Sequence, residues 1–590
     1  MLLNKPGEKI ILLGNEAIVR GALESGVNFV STYPGTPASE IGNIFYKIAK
    51  EVGVYFEFSV NEKVALEAGI GASFSGLKVL VAMKNFGLNV AMDALLPFCY
   101  TGSKGATVII VADDPSCHSS AQSEENSRFI AETAHIPVLE PADPQECKDF
   151  VKLGYEISEK FKIPVIIRTT TRVAHQKAPV ILGEIKNLPK PEAEFVKNKN
   201  QFVTLPPRVL EMKKELLEKI EKIKVFSEKS NLNKVIVSET LNISGRVPPA
   251  IVSNKSKIGI LSSSISYLYV MEALKELNLS LPVLKLGFFY PLPEKKINNF
   301  IKKIKKVLIV EELEPYLEKE VKRLAKEANC KLEVMGKELL PEIGELKPEY
   351  VTSAIAKITG KKYKFAISNL KSPIAKRLPQ LCPGCPYWLV ISAIKKAVDV
   401  GDEDKSSSIK FLRSKNEDGD ENSFSSTSPV AKARVNKVIF GGEIGCYMLF
   451  GNSPVDLQDY LSCMGSSVGI AHGIKKATGQ KIISFVGDSS FFHAGIPALI
   501  NTVFNKSNPL IIILNNQTTA MTGHQPHPVS AGTDTGIKIE DIIRACGVKH
   551  VKTIDQSNQE EFTNTVKEFL EKDEVSVIIA TLPCKFVAKK

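Results

Sequence analysis

The chain has 590 residues, of which 44% are hydrophobic, 24% charged and 7% aromatic. This composition is typical of a globular protein with several domains, and it excludes a small binding module, a disordered chain, collagen and a coiled coil. Lysine and arginine outnumber aspartate and glutamate, which gives a net charge of +11. Over so long a chain this excess is diffuse, and we expect no nucleic-acid-binding surface.

The ten cysteines are too few for a disulfide scaffold, which favours a reducing, cytoplasmic setting. At the N-terminus, charged and polar residues occupy the place where a secretion signal needs an apolar stretch. No stretch approaches the roughly 18 to 20 apolar residues that cross a bilayer. We therefore expect a cytoplasmic protein without a membrane span.

Three blocks of alternating strands and helices follow one another along the chain. The first block covers residues 1–190, a lysine- and glutamate-rich helical linker covers 191–245, and the other blocks cover 246–365 and 366–590. Strands are predicted near residues 9–13, 79–83, 107–112, 164–168, 258–261, 283–286, 307–310, 331–335, 437–441, 481–486, 510–514 and 576–581. Strand–helix alternation predicts parallel sheets, so the expected fold class is α/β with three doubly wound domains.

One segment interrupts the third block. Residues 402–434 are rich in aspartate, glutamate and serine and contain few apolar side chains. Such a segment cannot bury enough apolar surface to offset the entropy that is lost on ordering. We predict a flexible surface insertion, and a solvated loop is favoured over a partner-binding role.

The third block also contains the most informative motif. Gly487 and Asp488 end a predicted strand, and Asn516 follows the next buried strand, residues 511–515. Carboxylate and amide oxygens at strand ends suit Mg²⁺, which proteins usually bind together with phosphates. Gly487 allows the backbone to approach a diphosphate, and the following helix can present its N-terminus to negative charge.

This motif resembles the diphosphate-binding motif of the thiamine-diphosphate enzymes. The segments FFHAGIPALIN from Phe491 and TTAMTGHQPHP from Thr518 resemble the α subunit of the indolepyruvate:ferredoxin oxidoreductase family. Further matches are YPGTPASE from Tyr33, LCPGCP from Leu381 and CMG from Cys463. Because the matches follow in order over nearly the whole chain, the sequence is identified as a member of this thiamine-diphosphate 2-oxoacid oxidoreductase family.

The resemblance implies a pyrimidine-binding domain, a transketolase C-terminal-like domain and a diphosphate-binding domain for the three blocks. It implies that thiamine diphosphate binds between the first and third domains, with Mg²⁺ held by Asp488, Asn516 and the carbonyl oxygen of Thr518. The implied cofactor-binding residues are Gly487, Asp488, Ser489, Asn516, Thr518, Cys463, Met464 and Gly465.

Thiamine chemistry requires a carboxylate against N1′ of the aminopyrimidine, because protonation there makes the 4′-imino group basic. The resemblance offers Glu62 or Glu67 for this role and favours Glu62, with an exposed helix acid as the interpretation of Glu67. It also places a substrate-carboxylate-binding threonine at Thr36. Arg128 is the candidate guanidinium for the same carboxylate, with a surface salt bridge as the alternative. His493 is a candidate proton shuttle, with a structural role as the alternative.

Cys382 and Cys385 form a CxxC pair. A zinc ribbon is poorly supported because no second tight pair lies nearby. The resemblance implies that Cys382, Cys385, Cys446 and Cys584 bind a [4Fe-4S] cluster, which requires four thiolates. We expect the remaining cysteines, apart from Cys463, to be packing residues.

The implied reaction is the oxidative decarboxylation of aryl 2-oxo acids, such as indolepyruvate and phenylpyruvate, to acyl-CoA. Electrons would pass through the cluster to ferredoxin, and the family also implies a smaller β subunit and a homo- or hetero-oligomer. The family's C-terminal ferredoxin module is not matched, because the sequence stops at Lys590. The alternatives are a non-oxidative thiamine-diphosphate 2-oxoacid decarboxylase and a cofactor-binding scaffold without activity.

Two short departures from the family pattern lie close to these motifs. Glu443 occupies a position where the family commonly has aspartate. Tyr387 and Trp388, directly after the CxxC pair, occupy positions where histidine and arginine are common. We expect the second departure to change the surroundings of the cluster or the fit of the substrate.

Overall fold

The computed structural model describes residues 2–119, 122–186, 193–237, 257–363, 379–398 and 438–587. The predicted insertion at 402–434 lies outside these residues, as does part of the predicted linker at 191–245. The chain forms two compact units, Met1–Pro373 and Ile374–Lys590. The domain boundaries predicted at residues 190, 245 and 365 stay predictions.

The first unit alternates strands with helices along most of its length. Its strands are β1 (Lys9–Leu13), β2 (Phe29–Thr32), β3 (Tyr55–Phe58), β4 (Val79–Lys84), β5 (Thr107–Asp113), β6 (Val138–Leu139), β7 (Val165–Thr170), β8 (Lys177–Ile181), β9 (Asn233–Val237), β10 (Ile258–Ser263), β11 (Pro282–Leu286), β12 (Phe288–Tyr290), β13 (Lys306–Val310) and β14 (Glu333–Met335). Its α-helices are Gly14–Glu24, Ser39–Ile48, Glu62–Phe74, Asn85–Thr101, Arg128–Ala134, Pro144–Phe161, Thr171–His175, Lys199–Phe202, Arg208–Lys229, Ser264–Glu276, Glu294–Ile301, Tyr316–Ala328 and Pro348–Thr359, and Pro115–Cys117 is a 3₁₀ turn.

These strands form two large sheets and a two-stranded ribbon. The larger sheet has the order β12-β6-β7-β5-β4-β2-β3, in which β2 to β7 are parallel and β12 is antiparallel to β6. The second sheet has the order β14-β13-β10-β11-β9, with only β9 antiparallel among these described strands, and β1 pairs with β8. The mostly parallel pairing confirms the predicted α/β class.

The second unit contains one fully parallel sheet. Its strands are β15 (Ile439–Gly442), β16 (Tyr460–Leu461), β17 (Ile482–Gly487), β18 (Leu510–Asn515), β19 (His550–Asp555) and β20 (Ser576–Thr581), in the order β16-β15-β17-β18-β20-β19. Its α-helices are Tyr387–Ala397, Ser466–Thr478, Asp488–Ser490, Ile496–Phe504, Ile539–Ala545 and Gln559–Phe569, with a 3₁₀ turn at Cys446–Gly451 and a π-helical turn at Phe491–Gly495.

Strand β18 shows why a continuous apolar run forms the centre of this sheet. Side chains alternate between the two faces of a strand, and a parallel sheet is covered by helices on both faces. Ile512 and Leu514 pack into one buried cluster, whereas Ile511 and Ile513 pack into the cluster on the opposite face. The run was predicted as a buried strand at 510–514, and this prediction is confirmed.

Helix Arg208–Lys229 lies within the stretch 191–245, for which a helical linker was predicted. Its buried positions include Met212, Leu216, Ile220 and Ile223, which follow one another at the three- and four-residue steps of one helix face. This helix is therefore amphipathic. Of all the helices in the described ranges, none is both long enough and apolar enough to cross a bilayer.

We predict that Ile512→Ala destabilises the second unit by about 3 kcal/mol, because it leaves a cavity in a tightly packed core. Ile512 is fully buried, whereas Ile500 on helix Ile496–Phe504 is 49% exposed. Ile500→Ala is the matched control, with an expected change under about 0.5 kcal/mol. Trp388 is the single tryptophan of the chain, so its fluorescence during urea unfolding reports on this unit. Equal effects of the two substitutions would contradict the assigned core.

Candidate active site

The predicted cofactor residues of the second unit lie at one edge of its sheet. Because the strands are parallel, the segments that follow them leave the sheet at the same edge. Asp488 follows β17, and Asn516 follows β18. The segment with Cys463 follows β16, and Cys446 and Cys584 follow β15 and β20. Residues that are far apart in the sequence thus meet at one edge.

Asp488 is held against the loop that follows β18. Its carboxylate accepts hydrogen bonds from the backbone N–H groups of Ser489 and Gln517, both at 2.8 Å. Nε2 of His527 lies 3.3 Å from Oδ2 of Asp488. The carboxylate is almost fully buried, and its position is fixed by the neighbouring Ser489 and by the loop that follows β18.

Asn516 is fixed from two sides. Its side-chain nitrogen donates to the hydroxyl of Tyr387 at 2.7 Å, and its side-chain oxygen accepts from the N–H of Thr518 at 3.0 Å. Asn516 and Thr518 are both buried. Tyr387, which was noted as a departure from the expected family pattern, therefore orients Asn516 through its hydroxyl.

Glu443 and Tyr447 join two glycine segments at this edge. The Glu443 carboxyl accepts from the N–H of Gly465 at 2.9 Å and receives a short hydrogen bond from the hydroxyl of Tyr447. The N–H of Gly487 donates to the Tyr447 hydroxyl at 2.8 Å. Sequence reasoning did not assign a role to this pair, and the only signal was the glutamate in place of the family's aspartate.

Burial raises the pKa of Glu443 to about 8, against the effect of hydrogen bonds from the backbone of Gly465 and Gly487. The carboxyl is fully buried, and an ionised carboxylate is costly in such a place. Glu443 therefore holds its proton at neutral pH.

Gly465 lies where a side chain has no room. Its φ is +78°, and a Cβ atom there would lie 2.8 Å from Cβ of Ala494. This close contact places the segment Cys463–Met464–Gly465 beside the π-helical turn that contains His493. His493 is buried and Cys463 is exposed.

The four predicted cluster ligands lie close together in the second unit. The N–H of Cys584 donates to the carbonyl of Asn516, and the ammonium of Lys585 donates to the carbonyl of Pro383, within the CxxC turn. Burial raises the pKa of Cys385 to about 11, with contributions from Cys382 and Cys584. Burial raises the pKa of Cys446 to about 12, with contributions from the other three thiols.

In the first unit, Glu62 and Thr36 lie at the carboxyl edge of the larger sheet, after β3 and β2. Glu62 begins helix Glu62–Phe74, where the side chain of Asn61 caps the helix by accepting from the N–H of Val64. Glu62 is buried, whereas Glu67 is exposed and forms an ion pair with Lys63. Thr36 is half-buried, and its hydroxyl lies 3.3 Å from that of Ser39. Of the two glutamates, only Glu62 has the surroundings expected of a catalytic acid.

Arg128 does not have the geometry predicted for it. Its guanidinium donates to both oxygens of Glu140 at 2.6 and 2.7 Å, to Glu311 at 3.2 Å and to the hydroxyl of Ser263 at 2.9 Å. It also lies 4.2 Å from the ring centroid of Phe289. Nε and both terminal nitrogens thus have buried protein partners. We therefore correct the predicted substrate-carboxylate contact to a structural role, in a buried rather than a surface ion pair.

Across the described ranges, no three His, Cys, Asp or Glu side chains converge as the ligands of one metal ion would. The implied Mg²⁺ ligands are one carboxylate, one amide oxygen and one backbone carbonyl, so this site does not need such a group. A [4Fe-4S] cluster binds each thiolate to a different iron atom, so its ligands lie farther apart than those of one ion. The oxygen donors of Asp488 and Asn516 and the four neighbouring thiols are chemically suited to these groups.

Comparison with known proteins gives two family matches. Residues 443–580 match "Thiamine pyrophosphate enzyme, C-terminal TPP binding domain", and residues 20–230 match "Pyruvate flavodoxin/ferredoxin oxidoreductase, thiamine diP-bdg". Indolepyruvate oxidoreductase subunit IorA of Methanothermobacter thermautotrophicus is 41% identical over 587 residues, which are 98% of this chain and 87% of the relative. The chain belongs to the IorA family. The Archaeoglobus fulgidus IorA is 38% identical over 596 residues, with the same two coverages of 98% and 87%.

Membership of the IorA family confirms the prediction of an indolepyruvate:ferredoxin-oxidoreductase-like enzyme with thiamine-diphosphate-binding domains. Among solved structures, a 2-oxoglutarate:ferredoxin oxidoreductase from Magnetococcus marinus aligns with a TM-score of 0.47 at 18% identity, over 60% of this chain and 66% of that chain. For this IorA-family chain, the roles of Glu62, Thr36 and His493 stay predictions. The same holds for the predicted Mg²⁺ ligands and for the four predicted cluster cysteines.

The protonated state of Glu443 in this IorA-family chain predicts a pH-dependent stability. The folded state holds this proton up to about pH 8, whereas an unfolded chain releases it near pH 4.3, at about the model-peptide pKa. The folded state therefore binds more protons between these values, and stability falls as the pH rises through this window. Glu443→Gln, which cannot ionise, should gain about 4 kcal/mol relative to the natural chain between pH 5 and pH 8.

Urea unfolding followed through Trp388 at several pH values measures this difference. Glu560→Gln is the control, because Glu560 is exposed on helix Gln559–Phe569. Its difference from the natural chain should not change with pH. A pH-independent difference for Glu443→Gln as well would contradict the protonated, buried carboxyl.

Proposed function

We propose that this chain catalyses the oxidative decarboxylation of an aryl 2-oxo acid to an acyl-CoA, with thiamine diphosphate, Mg²⁺ and a [4Fe-4S] cluster as cofactors. The observation that carries the proposal is the group of four cysteines beside the loop that begins at Asn516. A non-oxidative decarboxylase needs no electron acceptor, whereas an oxidoreductase must remove two electrons. The names of the IorA relatives, indolepyruvate oxidoreductase, support an aryl side chain on the substrate.

Thiamine diphosphate, when bound, supplies a nucleophilic carbon and a sink for the electron pair that decarboxylation releases. Asp488, Asn516 and the carbonyl of Thr518 would hold Mg²⁺ against the diphosphate, since these are hard oxygen ligands. The N–H groups after Gly487 and the hydroxyl of Ser489 would donate to the diphosphate. Glu443 and Tyr447 support this arrangement, because they tie Gly487 to Gly465.

Glu62 would hold a proton at N1′ of the aminopyrimidine. Its burial at the start of a helix supports this role, because a positioned carboxyl away from water exchanges a proton with one partner group. Thr36 would donate its hydroxyl to the substrate carboxylate. The segment Cys463–Met464–Gly465 would pack against the aminopyrimidine, and His493 would serve as a proton shuttle at the same edge.

The proposed partners follow from the reaction. Coenzyme A would accept the acyl group, and a ferredoxin-like protein would accept the electrons, with Cys382, Cys385, Cys446 and Cys584 holding the cluster between them. We also propose a smaller β subunit, as part of a homo- or hetero-oligomer. A cytoplasmic location is part of the proposal, because a reducing compartment keeps cysteine ligands available for iron.

Purification without oxygen tests the cluster. The natural chain should contain about four irons and four sulfides per molecule, and Cys446→Ser should lose most of both. Cys546→Ser is the matched control, because Cys546 is also a half-buried cysteine of the second unit and should leave the metal content unchanged. Natural protein without stoichiometric iron and sulfide would exclude the oxidoreductase and favour a non-oxidative decarboxylase.

Paired glutamine substitutions test the catalytic acid. Glu62→Gln should lower cofactor-dependent CO₂ release from phenylpyruvate by about a hundredfold or more, because proton transfer at a positioned acid contributes this much. Glu67→Gln should change the rate by less than about twofold, because Glu67 is exposed on the same helix. Equal effects would remove Glu62 from the proposed site. A natural chain without turnover on any aryl 2-oxo acid would instead indicate an inactive scaffold.

A further inference from the structure

Lys84 is the last residue of β4, in the middle of the larger sheet of the first unit. Its side chain lies against the turn that contains Thr36. A Cβ atom placed on Gly35 would lie 3.0 Å from Cγ and 3.1 Å from Cδ of Lys84. The absence of a side chain at Gly35 therefore makes room for the lysine stem, and the stem passes next to the backbone that positions Thr36.

The segment that begins with Lys84 also contacts Glu62, through Gly87. Burial lowers the pKa of Lys84, and the negative charge of Glu62 is the largest of the opposing influences. The helix Asn85–Thr101 begins directly after Lys84, and a Cβ on its Gly87 would lie 2.5 Å from Cγ of Glu62. One short segment, residues 84–87, thus contacts both the proposed catalytic acid and the Thr36 turn, and the ammonium of Lys84 lies 4.6 Å from the ring centroid of Phe86.

The guanidinium groups on neighbouring strands and helices already form ion pairs with carboxylates of the protein. Arg128 pairs with Glu140, Arg168 pairs with Asp113 at 2.7 Å, and Arg172 pairs with Glu345 at 2.8 Å. A 2-oxo acid brings a carboxylate into the site, and such a group is bound most strongly by charged donors. Because Arg128 is engaged in a structural ion pair, the substrate carboxylate requires another cationic side chain close to Thr36.

We propose that Lys84 binds the carboxylate of the 2-oxo acid substrate, together with the hydroxyl of Thr36. This role rests on the proposed function. Because the carboxylate leaves as neutral CO₂, the contact is made to the substrate and not to the product. Lys84 therefore discriminates between the incoming acid and the decarboxylated group.

The test uses the complete holoenzyme with its partner subunit, purified without oxygen and supplied with phenylpyruvate. Lys84→Met should raise KM for phenylpyruvate by about tenfold or more, since a charged hydrogen bond to the substrate is lost. Lys84→Arg, which keeps the charge, should recover part of this loss. Lys78→Met is the matched control, because Lys78 is a half-buried lysine at the opposite end of the same strand.

Inhibition by 3-phenylpropionate and by its neutral amide separates a charge contact from a structural effect. The natural enzyme and Lys78→Met should bind the acid about tenfold more tightly than the amide, and Lys84→Met should bind the two equally. A preference for the acid that persists in Lys84→Met would overturn the role of Lys84 while leaving the proposed function intact. A natural holoenzyme that turns over no 2-oxo acid would overturn both.

Discussion

All strands of a parallel sheet end at the same edge, and this geometric constraint determines where chemistry is possible in both units. In the second unit, five separate segments follow β15, β16, β17, β18 and β20. They contain two of the four cysteines, Cys446 and Cys584, together with Gly465 and the oxygen donors Asp488 and Asn516. In the first unit the same rule places Thr36, Glu62 and Lys84 at one edge. No local sequence signal brings these residues together, because their proximity is a property of the sheet.

Buried ionisable groups have two different consequences in this chain. Arg128 and Glu140 compensate each other: burial raises the pKa of the Glu140 carboxyl, but Arg128 and Arg168 outweigh this effect and lower it. Glu443 has no cation among its hydrogen-bond partners, and its pKa rises instead. In the Arg128–Glu140 pair, two opposite charges are stabilised inside the protein, whereas the Glu443 carboxyl retains its proton and is neutral. Both arrangements depend on hydrogen bonds to buried polar atoms, because such an atom without a partner is costly.

The parts that the sequence predicted well are those with a local signal. The run 510–514 is long, apolar and β-branched, and it forms β18 as expected. Asp488 and Asn516 were predicted as ligands because each follows such a run, and their role stays a prediction. Glu443 and Tyr447 were not assigned a role, since their partners, Gly465 and Gly487, are distant in the sequence and are met only through the sheet. The ion pairs of Arg128 were not foreseen either, because one of its partners, Glu311, follows a strand of a different sheet.

The cysteine group is asymmetric with respect to solvent: Cys382 is exposed, whereas Cys385, Cys446 and Cys584 are half-buried. Electron transfer slows steeply with distance, so for the proposed cluster the exposed cysteine would offer the shortest path to a soluble acceptor. The same side would also be the point at which dioxygen first meets the proposed cluster. Rapid electron transfer and sensitivity to air would therefore both result from the exposure of Cys382. A docked protein that covers Cys382 would change both properties together.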